Sequence, residues 1–174
     1  AGMTHSFDRG LSATWWDYND DGYPDLYVGN DWGDRDFLYH NNGDGTFTDI
    51  AKEAGVQDGF RKTMQALVAD FNDDNKPDIL VGNDTDPNGL YLNRGDGTFK
   101  EFSGPSGLSS TDGSMGITWG DYNSDQMMDL YISNYTGEAD LLLTMVDNTS
   151  SNDGKVKNAI FMADFDSPFI QQKT

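Results

Sequence analysis

Residues 17–25 read DYNDDGYPD, four aspartates and an asparagine within nine positions. Carboxylates this close need a counter-charge, or at neutral pH some of them are forced to hold protons. Their spacing offers one. Side-chain oxygens at loop positions 1, 3, 5 and 9, with a backbone carbonyl at 7, form a wrapped cage of hard oxygen ligands: Asp17, Asn19, Asp21, the carbonyl of Tyr23 and Asp25. Such a set suits Ca2+, which takes about six to eight oxygens at ~2.3–2.6 Å. Mg2+ fits less well because it demands tight octahedral geometry and keeps its waters. No His or Cys stands in the loop to favour zinc or copper. An EF-hand loop is related, but it closes with a Glu at position 12 between two helices. Here Asp25 closes the loop at position 9 and leads into DLYVGN, a strand-forming run. The site reads as a Ca2+ loop in a β-hairpin.

The elements that must position this loop recur. WWDYNDDGYPDLYVGN (15–30) is followed by VADFNDDNKPDILVGN (68–83) and WGDYNSDQMMDLYISN (119–134), with leading aspartates Asp17, Asp70 and Asp121 spaced 53 and 51 residues apart. A second segment also repeats, FLYHNNGDGTFTDI (37–50) and LYLNRGDGTFKEF (90–102); the third unit keeps only Asn152-Asp153-Gly154 as a relic of that turn. AGV (54–56) and SGL (106–108) form matched corners. The runs DLYVGN, DILVGN and DLYISN are short and rich in Val, Ile, Leu and Tyr, which marks strands. NGDG and RGDG are hairpin turns. Each unit of about 50 residues thus supplies roughly four strands, the pattern of a β-propeller blade. The expected fold is all-β, with propeller-type blades of four-stranded antiparallel repeats; a stacked solenoid of sheets is the rival. Residues 1–10 form a lead-in, 11–60, 61–110 and 111–159 three blades (the last with a degenerate second half), and 160–174 a partial fourth repeat or a closing strand. IFMADFD (160–166) matches LVADFND (67–73), but Pro168 stands where the third aspartate belongs. Propellers close with about four to eight blades, so three are incomplete or are completed by other chains. Only AKEAGV (51–56) could make a helical turn.

Composition narrows the function classes. The 174 residues carry 36% hydrophobic and 13% aromatic side chains, enough for a folded core. Thirty acidic residues against 11 basic ones give a net charge of −19, which repels phosphate backbones and anionic lipid heads. Nucleic acid is excluded as a partner on this reading. Membrane insertion is not expected either, since LLLTMV (141–146), the most apolar run, is too short to span a bilayer. The chain has no cysteine and opens AGMTHSFDRG, with neither an initiator Met nor an apolar signal segment, as in a processed chain or a fragment.

DYNDDGYPDLYVGN resembles the calcium-binding FG-GAP repeat of integrin α-chain propellers. With NNGDGTFTDI and AGV following, the unit is still more similar to the VCBS-type repeats of bacterial secreted proteins and of cartilage acidic proteins. The resemblance covers about residues 11–160. It implies a β-propeller, Ca2+ in the loop joining the first two strands of each blade, and an extracellular or cell-surface location. Carried over residue by residue, it implies a second ligand set of Asp70, Asn72, Asp74, the carbonyl of Lys76 and Asp78. The third set is Asp121, Asn123, Asp125, the carbonyl of Met127 and Asp129. About three Ca2+ sites are expected. Position 6 of the loop requires a sharp turn with positive φ, so Gly22, Asn75 and Gln126 rank the sites from strongest (17–25) to weakest (121–129).

Other candidates have plainer readings. Arg94-Gly95-Asp96 spells an adhesive tripeptide, yet Gly95 and Asp96 already belong to the GDGTF turn. Asn83, Asn134 and Asn148 head N-glycosylation sequons. His5 and His40 are isolated, and no nucleophile with a base stands out. Trp15, Trp16 and Trp119 are expected in packing between blades, and Trp32 at the surface. The composite expectation is a non-enzymatic extracellular calcium-binding module for binding, adhesion or structural assembly, with an unidentified protein or carbohydrate ligand. Self-association, or further blades of a longer chain, would complete it. A filament or sheath subunit and a fragment of a polysaccharide lyase are the alternatives.

Overall fold

Strand-forming runs flanked by Asp, Asn and Gly leave each repeat little choice but to fold back on itself. In the computed structural model, which describes residues 9–32, 34–135, 140–146 and 160–163, every unit forms one four-stranded antiparallel sheet in chain order. The first contains β1 (Gly10–Trp16), β2 (Asp25–Asn30), β3 (Phe37–Asn41) and β4 (Phe47–Asp49). The second contains β5 (Thr63–Ala69), β6 (Asp78–Asn83), β7 (Gly89–Asn93) and β8 (Phe99–Glu101). The third contains β9 (Ser114–Gly120), β10 (Asp129–Asn134), β11 (Leu141–Val146) and β12 (Ile160–Ala163). The fold is all-β and propeller-type, as the repeats imply. Strand β12 lies in the stretch that resembles the start of a further unit, but it pairs antiparallel with β11 and completes the third sheet. Likeness to β5 sets its strand propensity; the open edge of β11 sets its partner.

The matched corners are single helical turns, α1 (Ala51–Ala54) and α2 (Ser103–Ser106), each ended by a left-handed glycine, Gly55 or Gly107. The second of these, SGPS, was not anticipated from the sequence. Val56 and Leu108 then donate back to the first carbonyl of each turn, which returns the chain to the next sheet. Among the described residues, no helix is long and apolar enough to cross a membrane.

The core lies between sheets. Strand β6 is buried at all six positions because both of its faces are covered. Tyr27, Leu38 and Val56 of blade 1 pack against Ile79, Val81 and Tyr91 of blade 2. Phe71, Leu80 and Leu90 of blade 2 pack against Ile117, Ile132 and Leu143 of blade 3. Burying each such side chain stabilises by about 1.5–3 kcal/mol, so the seams between blades carry most of the hydrophobic stabilisation. Trp119 takes its expected place in a seam, with its ring 5.9 Å from that of Phe71. Trp15 departs from expectation: at the same repeat position in blade 1 it is 56% exposed, touching only Phe47 edge-on among the described aromatics. On the same face Leu26, Phe37 and Tyr39 are buried, so the exposure is confined to the β1 side of the sheet.

The seams need close approach. A Cβ added at Gly29 would lie 2.3 Å from Cγ2 of Thr63, and one at Gly82 would lie 2.7 Å from Cδ1 of Ile117. Gly29→Ala is therefore expected to destabilise the protein by about 1–3 kcal/mol. Adding Thr63→Ser, which deletes Cγ2 and keeps the hydroxyl, should recover most of the loss in denaturant unfolding. A double variant no better than the single one would show that the clash is not the cause.

Candidate metal centre

Each acidic loop leaves the end of a first strand and returns at the start of a second. Two left-handed residues let it wrap this tightly. The sixth position was expected to have positive φ and does, with Gly22 at 88°, Asn75 at 64° and Gln126 at 69°. The fourth position does so too, at Asp20 (60°), Asp73 (61°) and Ser124 (64°), which the sequence reading missed. Between them the backbone N–H groups turn inward. Asp21 and Gly22 donate to the two carboxylate oxygens of Asp17, at 3.1 and 2.7 Å. Asp74 and Asn75 do the same to Asp70, at 3.1 and 2.7 Å, and Asp125 and Gln126 to Asp121, at 3.0 Å each. The amides of Tyr23, Lys76 and Met127 donate to the fifth-position aspartates Asp21, Asp74 and Asp125 at 2.8–2.9 Å. The third-position asparagines Asn19, Asn72 and Asn123 accept from those same aspartates' amides.

The ninth-position carboxylate has a different environment. Asp25, Asp78 and Asp129 are at most 1% exposed. Asp25 accepts from the amide of Tyr18 at 3.2 Å and from that of Asn41, at the end of β3, at 2.8 Å. Asp78 ties Phe71 to Asn93 (3.0 and 2.7 Å), and Asp129 ties Tyr122 to Met145 (3.2 and 3.3 Å). Burial raises all three carboxyls above their ordinary value, opposed by these amides; the Asp78 carboxyl reaches about 7, with Asp74 and Asp70 adding to the rise. The exposed Asp21 goes the other way, lowered by the amide of Tyr23 and by Asn19. Asn93 also donates to the carbonyl of Tyr18 at 2.9 Å, fastening the first loop to the second blade.

Among the described residues, no three Asp, Glu or His side chains stand already converged as a metal cluster. In each loop the carboxylates are instead held by the loop's own amides. The donor chemistry nevertheless fits a hard cation. Every predicted side-chain ligand is an oxygen donor, and an ionised carboxylate that accepts one or two N–H bonds keeps lone pairs for a metal. Burial is the first cause of the rise at each ninth-position carboxyl.

Loop, strand and GDGTF turn recur in one architecture, and a family model for FG-GAP-like repeats matches residues 17–81 and 70–132, each match beginning at a leading aspartate. The chain belongs to the FG-GAP-like repeat family. Cartilage acidic protein 1 of Homo sapiens is 35% identical over 113 residues, that of Mus musculus 34% over 113, and that of Xenopus tropicalis 33% over 118. The similarity extends over 63% of this chain, which spans about 17% of the length of these curated relatives.

The FG-GAP-like units share a second polar site that the sequence reading overlooked. The residue just before each third strand caps the last amide of the second: Asn30 donates to Asp36 at 2.8 Å, Asn83 to Asn88 at 2.9 Å and Asn134 to Asp140 at 3.0 Å. Where the cap is Asp, a tyrosine hydroxyl also donates to it, Tyr27 at 2.7 Å and Tyr131 at 3.0 Å; where it is Asn88, the tyrosine position is Leu80. The caps follow Asp25, Asp78 and Asp129 by 11, 10 and 11 residues, and that one-residue slip hides them from a register search. In the first seam this site extends into a buried line. The Thr63 hydroxyl lies 2.8 Å from Asp36 and 3.1 Å from Asn83; Asn83 donates to Asp58 at 2.9 Å, and Tyr91 and Arg61 also hold Asp58.

The remaining sequence candidates divide. The side-chain nitrogen of Asn83 is buried and donates to Asp58 and to the carbonyl of Pro87, so its sequon is inaccessible in the folded chain. Asn134 is half-buried, and Asn148 and His5 lie outside the described residues. His40 packs edge-on against Tyr18 with Nδ1 3.2 Å from Asp25. Arg94-Gly95-Asp96 is exposed, but Asp96 is committed to the amide and hydroxyl of Thr98, as Asp44 is to Thr46. Trp32 is 73% exposed beneath Arg9.

Burial pushes the Asp36 carboxyl from 3.8 up to about 7, so the folded chain holds a proton there that the unfolded chain has released. Its contribution to stability is fully present below about pH 4 and is lost as pH rises through about 7, on the order of 2–4 kcal/mol in all. With Ca2+ held saturating, the melting temperature of wild type should fall more between pH 5 and pH 8 than that of Asp36→Asn, which copies the natural Asn88. Parallel pH profiles for the two proteins would remove Asp36 as the titrating group.

Proposed function

We propose that this FG-GAP-like chain is an extracellular, calcium-stabilised, non-catalytic module, whose blades present surfaces for binding or adhesion to a protein or carbohydrate. The observation that carries this reading is the threefold recurrence of one loop at one strand junction. Each loop has two left-handed residues, an all-oxygen donor set, and a buried ninth-position carboxylate tied to a third strand. Asp17, Asn19, Asp21, the Tyr23 carbonyl and Asp25 would hold the ion in the first loop, and the equivalent residues in the other two. Bound Ca2+ supplies positive charge to the loop and is structural. The chain's own groups fix the loop's shape and fasten it to the strands. The extracellular part is supported by similarity to cartilage acidic protein 1, whose name places it in cartilage. The recurrence itself argues against catalysis, because a catalytic carboxylate pair should occur once.

The loops differ in quality. Gly22 takes its left-handed conformation without strain, whereas Gln126 carries a side chain there at φ 69°. In the second loop the Lys76 ammonium already lies 3.1 Å from Asp74 and competes with a cation. Calorimetric titration with Ca2+ should therefore lose its tightest phase in Asp21→Ala, an intermediate one in Asp74→Ala and the weakest in Asp125→Ala. Loss of the tightest phase from Asp125→Ala would reverse the ranking.

Binding to the folded state alone stabilises by about 2.7 kcal/mol per site at a hundredfold excess over Kd. Excess EDTA should accordingly lower the melting temperature by several degrees, and readdition of Ca2+ should restore it. An unchanged melting curve would overturn the structural role.

A further inference from the structure

We propose that the second seam, between blades 2 and 3, is a binding site for one internal water molecule, held by Nδ2 of Asn88 and Oγ of Ser114. Both residues are closed to solvent, at 0% and 1% exposed, and neither atom has a hydrogen-bond partner within the chain. Buried polar groups without a partner are rare in native proteins, and each one calls for an occupant. The Asn88 side chain cannot turn round to relieve the deficit. Its Oδ1 accepts the amide of Asn83 at 2.9 Å, which commits Nδ2 to the other side.

The first seam shows what stands in the same place. Asp36 is its counterpart of Asn88: each caps the last amide of a second strand. Each also donates its own amide to the chain entering the next blade, Asp36 to Gln57 at 3.1 Å and Asn88 to Ser110 at 3.2 Å. The oxygen of Asp36 that corresponds to Nδ2 of Asn88 meets two hydroxyls, Tyr27 at 2.7 Å and Thr63 at 2.8 Å. The second seam has Leu80 in place of Tyr27 and Ser114 in place of Thr63. One hydroxyl is therefore lost, and a bridge with it, because the Tyr27 hydroxyl also lies 3.2 Å from the carbonyl of Val56. Leu108 stands at the repeat position of Val56.

A water at the position of the lost hydroxyl restores that bridge. It accepts from Nδ2 of Asn88, and its two protons go to Oγ of Ser114 and, by repeat position, to the carbonyl of Leu108. Three partners are what an internal water usually has. The space is of the right size, since a tyrosine exceeds a leucine by roughly the 30 Å3 that one water takes up in the liquid. An amide donor repels a cation, and the net charge of −19 disfavours an anion, so a neutral molecule is the fitting occupant. A bridging water bonds nearly as well as a direct contact. The second seam is then fastened through an exchangeable molecule where the first is fastened by side chains alone. This inference is independent of the ion, because it concerns the strand ends remote from the acidic loops.

The test is a crystal structure of the whole chain, grown with Ca2+ and chloride and resolved finely enough to place internal waters. Wild type should show one water within hydrogen-bond distance of both Asn88 Nδ2 and Ser114 Oγ. In Leu80→Tyr the new hydroxyl should take its place. Thermal melting supplies a second readout: Leu80→Phe expels the water and offers nothing in return, so Leu80→Tyr should melt several degrees above it. Equal melting temperatures for these two variants would overturn the proposal. So would a wild-type seam in which Nδ2 and Oγ bond directly to each other, or a peak there with the anomalous signal of chloride. If neither variant folds, the wild-type density decides alone.

Discussion

A carboxylate buried at the mouth of a β-hairpin is the interaction on which this fold depends. Asp25, Asp78 and Asp129 each accept the amide that opens the acidic loop and an amide at the far end of the third strand. One side chain thereby sets the width of the loop and the register of two strands. Placing a charge where water is excluded is costly unless it is compensated, and two amides compensate only in part. The proposed cation would offset the remaining deficit, and the same carboxylate connects the electrostatics of the rim to the order of the sheet beneath it.

Cohesion between blades has a different origin. It comes from apolar faces brought together where one side is glycine and the other branched, as at Gly29 with Thr63 and Gly82 with Ile117. The first seam adds a buried polar line through Asp36, Thr63, Asn83 and Asp58. Such a line fixes the alignment of two sheets that could otherwise slide on greasy surfaces, because each member is satisfied in one register only.

The repeating architecture was legible in the sequence because strand propensity, turn residues and acidic spacing all repeat together. The left-handed sixth position was legible for the same reason: Gly22, Asn75 and Gln126 occupy a place where the spacing forces a turn. The fourth position was not, since aspartate at 20 and 73 reads as one more ligand or solvated charge. The caps Asp36, Asn88 and Asp140 were hidden by a change in loop length. The exposure of Trp15 depends on what neighbours a sheet, and a repeat pattern states only that something should. The amide trap around Asp17, Asp70 and Asp121 likewise depends on backbone direction, which composition does not encode.

The bond from Asn93 to the carbonyl of Tyr18 has a consequence for how the chain responds to ions. It joins the first acidic loop to the strand end that Asp78 holds, so ordering either loop favours the other. The third sheet has Met145 where the second has Asn93, and a thioether cannot reach back to grip the loop before it. Cooperativity should therefore link the first two loops and stop there. Under the proposed calcium role the chain would titrate as a coupled pair beside an independent site, a response that belongs to the side chains at the ends of strands rather than to the ligands themselves.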